Sequence, residues 1–485
     1  MLKAIWNKYA KMPLPVKAAM WFVVCSLLQK TISFLTTPIF TRIMPREEYG
    51  LFSTYLSVYT ILVVFTSLVM EKCIYANHIT RAGSQREKDE AAIPLLSLSF
   101  VAACVMFGGY WIGQDFFNRL VGLPTSFMCL MFLHALCEPA IAFFSVKQRF
   151  AYRYMAMLVL TLGLVLGNTV LGILFVFHAQ HDQALARVLS VVITHVAIAI
   201  GLYFHFWFKG HAVFSTKGWL HALNVQLPLL PHSLSLVVLS SSDRIMINSM
   251  IGAAQAAMYT VAYSAGHIMG ILKNSIVSSL RPWIYQKIKA GDYAAIGRVS
   301  RCLLLMIMFL TFAFVAFAPE IVKFMAPPSY AEAVYVIPPV AASSFFTFLY
   351  SMFSTVGFYY EKTKAIMVAS MIGAASNVLL NFLFIPKYGY IAAGYTTLAC
   401  YVFFTVAHYV IMRRICRREL GGVRMFDGRQ AFFLSFVVIG VSVFYAFAYK
   451  CAWVRYAALL ATLSFVAWKR KLFLESMRAI RRRRS

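Results

Sequence analysis

Acidic residues are scarce in this chain. Its 485 residues hold 17 Asp and Glu against 45 Lys and Arg, a formal net charge of +28, and only 13% carry a charge at all. No DxD metal–phosphate motif and no phosphate-binding glycine loop occurs. No pair of carboxylates sits inside an apolar run, where it could do acid–base work. The longest polar loops, near 71–90 and 413–429, are too short to fold as domains. An enzyme would have to rest its chemistry on scattered single groups, whereas a transporter needs only a cavity. Nine cysteines are present, but Cys25, Cys104, Cys129 and Cys400 lie in apolar runs, and the spacings fit neither a zinc site nor a disulfide framework. They read as small apolar packers. No cofactor or metal is expected.

Apolar residues are what the chain has in excess, at 61%. A soluble domain cannot hide that much apolar surface, but a bilayer can solvate it. A spanning helix needs about 20 mostly apolar residues, and about fourteen such segments can be read. They cover 16–40, 49–70, 91–112, 124–146, 154–177, 185–208, 220–241, 254–279, 300–323, 333–360, 365–385, 391–412, 430–449 and 451–468. The first apolar run is too long for a cleaved signal and has no small-residue cleavage site after it, so it reads as the first span.

Basic residues orient these spans. With the N-terminus inside, 34 Lys and Arg fall in inner segments and nine, Arg187 among them, in outer ones; Lys30 and Lys273 lie within spans. A bias this large predicts two cytoplasmic termini and an even number of spans. Runs such as Arg481–Arg484 then act as topology determinants that touch anionic lipid headgroups. No folded domain accompanies them, so nucleic acid is not an expected partner.

The chain also repeats itself. Thr41-Arg42-Ile43-Met44 resembles Asp243-Arg244-Ile245-Met246 at an offset of 202, Leu51-Phe52-Ser53 resembles Met258-Tyr259-Thr260 at 207, and Asn168-Thr169-Val170-Leu171 resembles Asn377-Val378-Leu379-Leu380 at 209. Spans one to six thus pair with spans seven to twelve. An even number of spans per unit keeps the orientation, so the halves should be related by an axis along the membrane normal, with a substrate cavity between them. The expected domains are an N-terminal six-helix lobe over 1–212, a second six-helix lobe over 213–415, and two extra helices with a basic cytoplasmic tail over 416–485.

Ionisable groups inside a bilayer are costly and line cavities or pair. Lys30 lies near the middle of the first span, and Ser26, Gln29, Lys30, Ser33, Thr36 and Thr37 recur at helical spacing, so they share a polar face. That face either looks into the cavity or serves to pair Lys30 with a carboxylate. The 202 offset carries Lys30 onto His232, between Pro231 and Ser233, which either faces the same cavity or bonds backbone freed by the prolines. Tyr259, Tyr263, His267, Lys273 and Ser278 form a stripe in span eight. Its tyrosines suit an interfacial belt or stacking on sugar rings, and Lys273, nearer the cytoplasmic end, suits a cavity or snorkelling. Glu138, followed by Pro139, is a carboxylate deep inside a span; it either holds a coupling proton or pairs with Lys30. Asp243 and Arg244 are adjacent at the outer end of span seven, do not face each other, and would anchor separate partners.

Taken in order, Thr36-Thr37-Pro38-Ile39-Phe40-Thr41-Arg42-Ile43-Met44 and Glu48-Tyr49-Gly50-Leu51-Phe52 resemble the opening of polysaccharide-repeat flippases. Pro228 to His232, Ser240 to Arg244 and Tyr259 to Tyr263 resemble that family's entry into its second lobe, and Asn377 and Asn381 before Ile385-Pro386-Lys387-Tyr388-Gly389 its eleventh span, so Arg42, Arg244, Asn377 and Asn381 join the expected cavity residues. The resemblance is to the oligosaccharide-lipid branch of the multidrug/oligosaccharidyl-lipid/polysaccharide exporter superfamily, and it spans nearly the whole chain. It implies an all-α polytopic fold of two six-helix lobes in a V, alternating access, and a bacterial cytoplasmic membrane. The cargo it implies is a polyprenyl-pyrophosphate-linked sugar repeat unit for O-antigen, capsule or exopolysaccharide assembly. Membrane lipids and other polysaccharide-assembly proteins are the expected partners, and H+ or Na+ the candidate coupling ions. Related lipid II flippases carry cations in spans one and eight, where Lys30 and Lys273 lie here. They mostly use arginine, so a lysine would act as a point charge rather than a bidentate fork. The nearest rival is a drug/cation antiporter of the same superfamily, which favours an anionic cavity. A membrane glycosyltransferase or repeat-unit polymerase would show a long outer loop with catalytic groups, and none is visible.

Overall fold

The computed structural model describes residues 12–81, 84, 87, 90–208 and 215–468. The basic tail and parts of the loops near 82–89 and 209–214 lie outside them. Each of the fourteen segments read as a span coincides with helix. Among the described residues, twelve helices are long and apolar enough to cross a membrane, which makes the chain a multi-pass membrane protein. The other two segments are the long helix Ala253–Lys289 and the 17-residue helix Ala452–Trp468.

The chain divides into two compact units between Ala257 and Met258. The first holds α1 (Leu14–Ile43), α2 (Arg46–Thr66), α3 (Ile74–Arg81), α4 (Ala92–Ile112), α5 (Gln114–Val121), α6 (Thr125–Phe150), α7 (Tyr154–His178), α8 (Gln183–Trp207), α9 (Thr216–Gln226) and α10 (Leu230–Ile251). Helix α11 (Ala253–Lys289) crosses the division. The second unit continues with α12 (Tyr293–Ala316), α13 (Ala318–Met325), α14 (Ile337–Tyr359), α15 (Thr363–Tyr388), α16 (Tyr390–Glu419), α17 (Gly428–Ala448) and α18 (Ala452–Trp468). Helix α10, which the repeat assigns to the head of the second lobe, packs within the first unit: Asn248 donates to the carbonyls of Val121 and Gly122 at 3.1 and 2.9 Å, and Thr60 meets Ser241 at 3.2 Å.

Helix starts carry their own stop signals. Pro45 precedes α2 and puts Glu47 and Glu48 in its first turn, at the positive end of the helix dipole. Asp292 and Asp427 cap α12 and α17 by accepting from Ala295 N and Gln430 N. Pro338 and Pro339 open α14, where the missing N–H groups would be unsatisfied anyway. Burial then separates the spans. In the most apolar window of α1 only 11% of residues are buried, so most of that helix is open to its surroundings; in that of α14 the share is 83%, which makes it the centre of the second unit. Around α14 the core is built from Phe345, Phe348, Val356, Ile307 and Met412. In the first unit the core forms around Tyr55, Met131, Ala135 and Val188.

Residues matched by the repeat can be compared contact by contact. Arg42 Nη1 donates to Pro38 O at 2.8 Å and Arg244 Nη2 to Ser240 O at 2.9 Å, so the two matched arginines each fold back onto the carbonyl four residues earlier. Asn168 of α7 accepts from Arg187 Nη1 on both its side-chain and main-chain oxygens. Its counterpart Asn377 of α15 donates to Thr397 Oγ1 at 3.0 Å, and Asn381 accepts from Thr396 and bonds Asn377 at 3.4 Å. Both asparagines are fully buried, so they join α15 to α16 rather than line a cavity. Arg187, counted from sequence among the outer-loop charges, is also buried. Besides Asn168 it bonds Ser190 Oγ at 2.8 Å, and its guanidinium lies 4.1 Å from the Phe40 ring and 4.8 Å from that of Phe52. Charge counting places arginines by sequence neighbourhood alone and cannot see that Asn168 and two aromatic faces are waiting for this one.

Candidate substrate and coupling sites

Helix α1 carries the first candidate. Lys30 is exposed and makes no hydrogen bond or ion pair among the described residues. Ser33 O accepts from both Thr36 and Thr37, which occupies those hydroxyls within the helix. Gln29, one residue away and so rotated by about 100°, lines a different space. That space is a cavity of about 350 Å3 inside the first unit, walled by α1, α6, α7, α8 and the segment after α2.

Gln29, Glu71, Lys72, Glu138, Arg149 and His195 line this cavity, together with the hydroxyl-bearing Ser26, Ser145 and Thr161. Glu138 accepts a hydrogen bond from Tyr59 at 3.0 Å. One turn earlier on both helices, Tyr55 Oη meets His134 Nδ1 at 3.1 Å, so α2 and α6 run in register. The Tyr59 ring stacks on His134 at 3.8 Å, and His134 meets His195 edge-on at 4.3 Å. His195 Nδ1 lies 2.8 Å from Val191 O; a carbonyl only accepts, so that nitrogen carries the proton and Nε2 is left as an acceptor. Burial raises the Glu71 carboxyl above the usual range, opposed in part by a backbone hydrogen bond and by Lys72. Leu68 and Val69 both adopt left-handed backbone, a conformation a β-branched residue rarely takes, and this turn precedes Glu71 and Lys72. Glu138 therefore sits with a phenol, two imidazoles, a second carboxylate and two cations, not with Lys30 as its described partner. Such a set contains groups that can take up and release a proton.

The remaining sequence candidates scatter. His232 is half-buried, and its Nδ1 is buried without a described partner; Ser235 Oγ donates to the Pro231 carbonyl at 2.6 Å. Asp243 is fully buried within α10. Tyr259 and Tyr263 of α11 stack with centroids 5.8 Å apart, Tyr259 buried and Tyr263 half-buried. The side chain of His267 lies outside the described residues. Lys273 is half-buried and donates to Thr347 Oγ1 of α14 at 3.0 Å. Sequence reading found Glu138 but missed Tyr59, His134 and His195. The signal was present: Tyr55/Tyr59 and His134/Glu138 are each spaced by four, on one helix face.

A bundle of this kind recurs in solved structures of membrane transporters. The fold matches the lipid II flippase MurJ in an inward closed conformation, with a TM-score of 0.67, 13% identity, and coverage of 94% of this chain and 99% of that one. It also matches an inward-facing MATE family multidrug resistance transporter, with a TM-score of 0.59, 14% identity, and coverage of 80% and 96%. In sequence, an uncharacterized membrane protein of Methanocaldococcus jannaschii is 22% identical over 418 residues, covering 80% of this chain and 81% of the relative. The model of the polysaccharide biosynthesis protein family matches residues 16–287, and the chain belongs to that family.

Proposed function

We propose that the protein is a flippase that moves a polyprenyl-pyrophosphate-linked oligosaccharide repeat unit from the cytoplasmic to the outer leaflet by alternating access. The membrane would be a bacterial cytoplasmic membrane, with both termini on the cytoplasmic side, and the product would feed assembly of a surface polysaccharide. One observation carries the reading: Lys30 is an exposed cation in the middle of an apolar span, with no described partner. A lone ammonium at that depth is disfavoured by several kcal/mol or more. A pyrophosphate offsets that cost, and its own desolvation needs such a partner. Lys273 is expected to matter less, because its ammonium already bonds Thr347. Glu138 and its Tyr59 and histidine neighbours carry the coupling H+ or Na+.

The test is complementation of surface-glycan display in a strain lacking this chain, with membrane abundance checked for each variant. Lys30→Ala and Lys30→Gln should abolish display at normal abundance, Lys30→Arg should keep part of it, and Lys273→Ala should reduce it less. Wild-type display by Lys30→Ala removes Lys30 as the phosphate site.

A further inference from the structure

Seven arginines converge on one cavity in the second unit. It has a volume of about 1260 Å3 and lies between the start of α12, the end of α16 and the segment leading into α17. Gly428 brings the start of α17 against α16: a Cβ there would stand 2.3 Å from Tyr409 Oη. Asp427 is the single carboxylate among the residues lining the cavity. It lies 3.4 Å from Arg301 and caps α17 through Gln430 N at 3.1 Å. Arg413 donates to Val423 O at 3.4 Å. Arg298, Arg414, Arg417, Arg424 and Arg429 are exposed and make no hydrogen bond or ion pair among the described residues.

So many like charges around one void repel each other within a Debye length of about 10 Å, and they focus a strong positive potential into it. Helices α12 and α17 both begin at the cavity, adding their positive ends. Guanidinium forks match phosphate oxygens in pairs. The wall also changes character abruptly. Phe432 lines the cavity and packs on Phe436 with centroids 4.7 Å apart, and both are more than half exposed. On a multi-pass membrane protein, an exposed apolar stripe leading out of a basic cavity meets acyl chains.

We propose that this cavity is a headgroup site for an anionic membrane lipid, its phosphates held by the arginines and its acyl chains lying along the phenylalanines of α17. A lipid with two phosphates suits both the volume and the charge. The proposal goes beyond the flippase reading and does not depend on it.

The experiment is native mass spectrometry of the full chain purified in detergent, titrated with cardiolipin, phosphatidylglycerol or phosphatidylcholine. Cardiolipin should bind most tightly, phosphatidylglycerol less so, and phosphatidylcholine should not be retained. The triple variant Arg414→Gln/Arg417→Gln/Arg424→Gln should weaken cardiolipin binding roughly a hundredfold, from about 1 kcal/mol per basic residue. All three positions are exposed. If the triple variant elutes as aggregate, Arg417→Gln alone, with roughly fivefold weakening expected, decides the matter. A control that removes equal charge elsewhere, Arg119→Gln/Lys364→Gln/Lys387→Gln, should bind as the parent does. Two further arms use inorganic pyrophosphate and a short single-stranded DNA. The proposal is overturned if the arginine variant binds like the parent, or if the control loses as much. It is also overturned if pyrophosphate displaces cardiolipin at equal concentration, which marks a soluble-phosphate site, or if the DNA outcompetes the lipid.

Discussion

In the first unit Asn168 of α7 grips a guanidinium, that of Arg187; in the second, its repeat partner Asn377 of α15 grips a hydroxyl, that of Thr397. The same offset of 209 that relates the asparagines carries Gly172 onto Asn381 and Arg187 onto Thr396. A Cβ at Gly172 would stand 2.5 Å from Arg187 Nη1, so in the first unit glycine makes room for a long charged side chain. In the second unit a larger Asn381 faces a smaller Thr396, and the two bond directly. One backbone arrangement is thus closed in two ways, small against large and medium against medium. Interiors are close-packed, so a volume change on one helix survives only with its opposite on the facing helix.

Exchanging the two solutions tests that view most sharply. Arg187→Ala should cost about 3 kcal/mol, since it opens a cavity and strips Asn168 of its donor. Gly172→Asn should cost about 1–3 kcal/mol by overpacking. The double variant Gly172→Asn/Arg187→Thr installs the second unit's pair in the first and should recover most of the Gly172→Asn loss. Unfolding of the purified protein in detergent, read as a double-mutant cycle with Arg187→Thr as the second single variant, measures the coupling. Simple additivity would mean that the two closures are not equivalent.

A smaller effect is expected in the second unit, where the clamp is neutral. Asn377→Ala should cost about 0.6–1.7 kcal/mol, the range for interhelical hydrogen bonds in membranes. A loss as large as that of Arg187→Ala would break the contrast between charged and neutral clamps. The same unfolding assay decides it.

The smallest expected effects come from two carboxylates that the units shift in opposite directions. Glu71 follows α2, and Glu320 lies in the short helix α13, beyond the end of the membrane-crossing α12 and not within one span over 300–323 as read from sequence. Burial raises Glu71 in the first unit. Its contribution to stability is therefore full below the ordinary carboxylate value and is lost as pH rises through the raised one. In the second unit burial also pushes Glu320 upward. Hydrogen bonds from Arg455, at 2.5 and 2.7 Å, and from Tyr456, at 2.7 Å, outweigh burial and hold it below the usual range. Its contribution is present above the ordinary value and is lost as pH falls through the lowered one. Glu71→Gln should flatten the stability profile on the neutral side of the carboxylate range and Glu320→Gln on the acid side. The latter is worth under about 1 kcal/mol, because the carboxylate is partly exposed. Profiles that bend the other way would reverse the assignment.

The sequence by itself determined that this is a helical membrane protein, where its spans run, and that its halves repeat. Span length, apolar content and local repetition are properties of neighbouring residues, so no contact map is needed to read them. It also marked Lys30 and Glu138, because a charge inside an apolar run is conspicuous along the chain. Which side chains each charge meets was decided only by tertiary structure. Glu138 meets Tyr59 across 79 residues, and Arg187 leaves the outer-loop tally for a buried seat between Asn168, Phe40 and Phe52. Asn377 and Asn381 turn from candidate cavity residues into a helix clamp. The arginines between 298 and 429 show the same division. Sequence reads them as topology signals on separate loops, and only the packing of α12, α16 and α17 gathers them around one cavity. The physical reason is that helix formation and membrane insertion follow from local periodicity and transfer free energy, whereas pairing depends on helix rotation and crossing, which packing between distant segments sets.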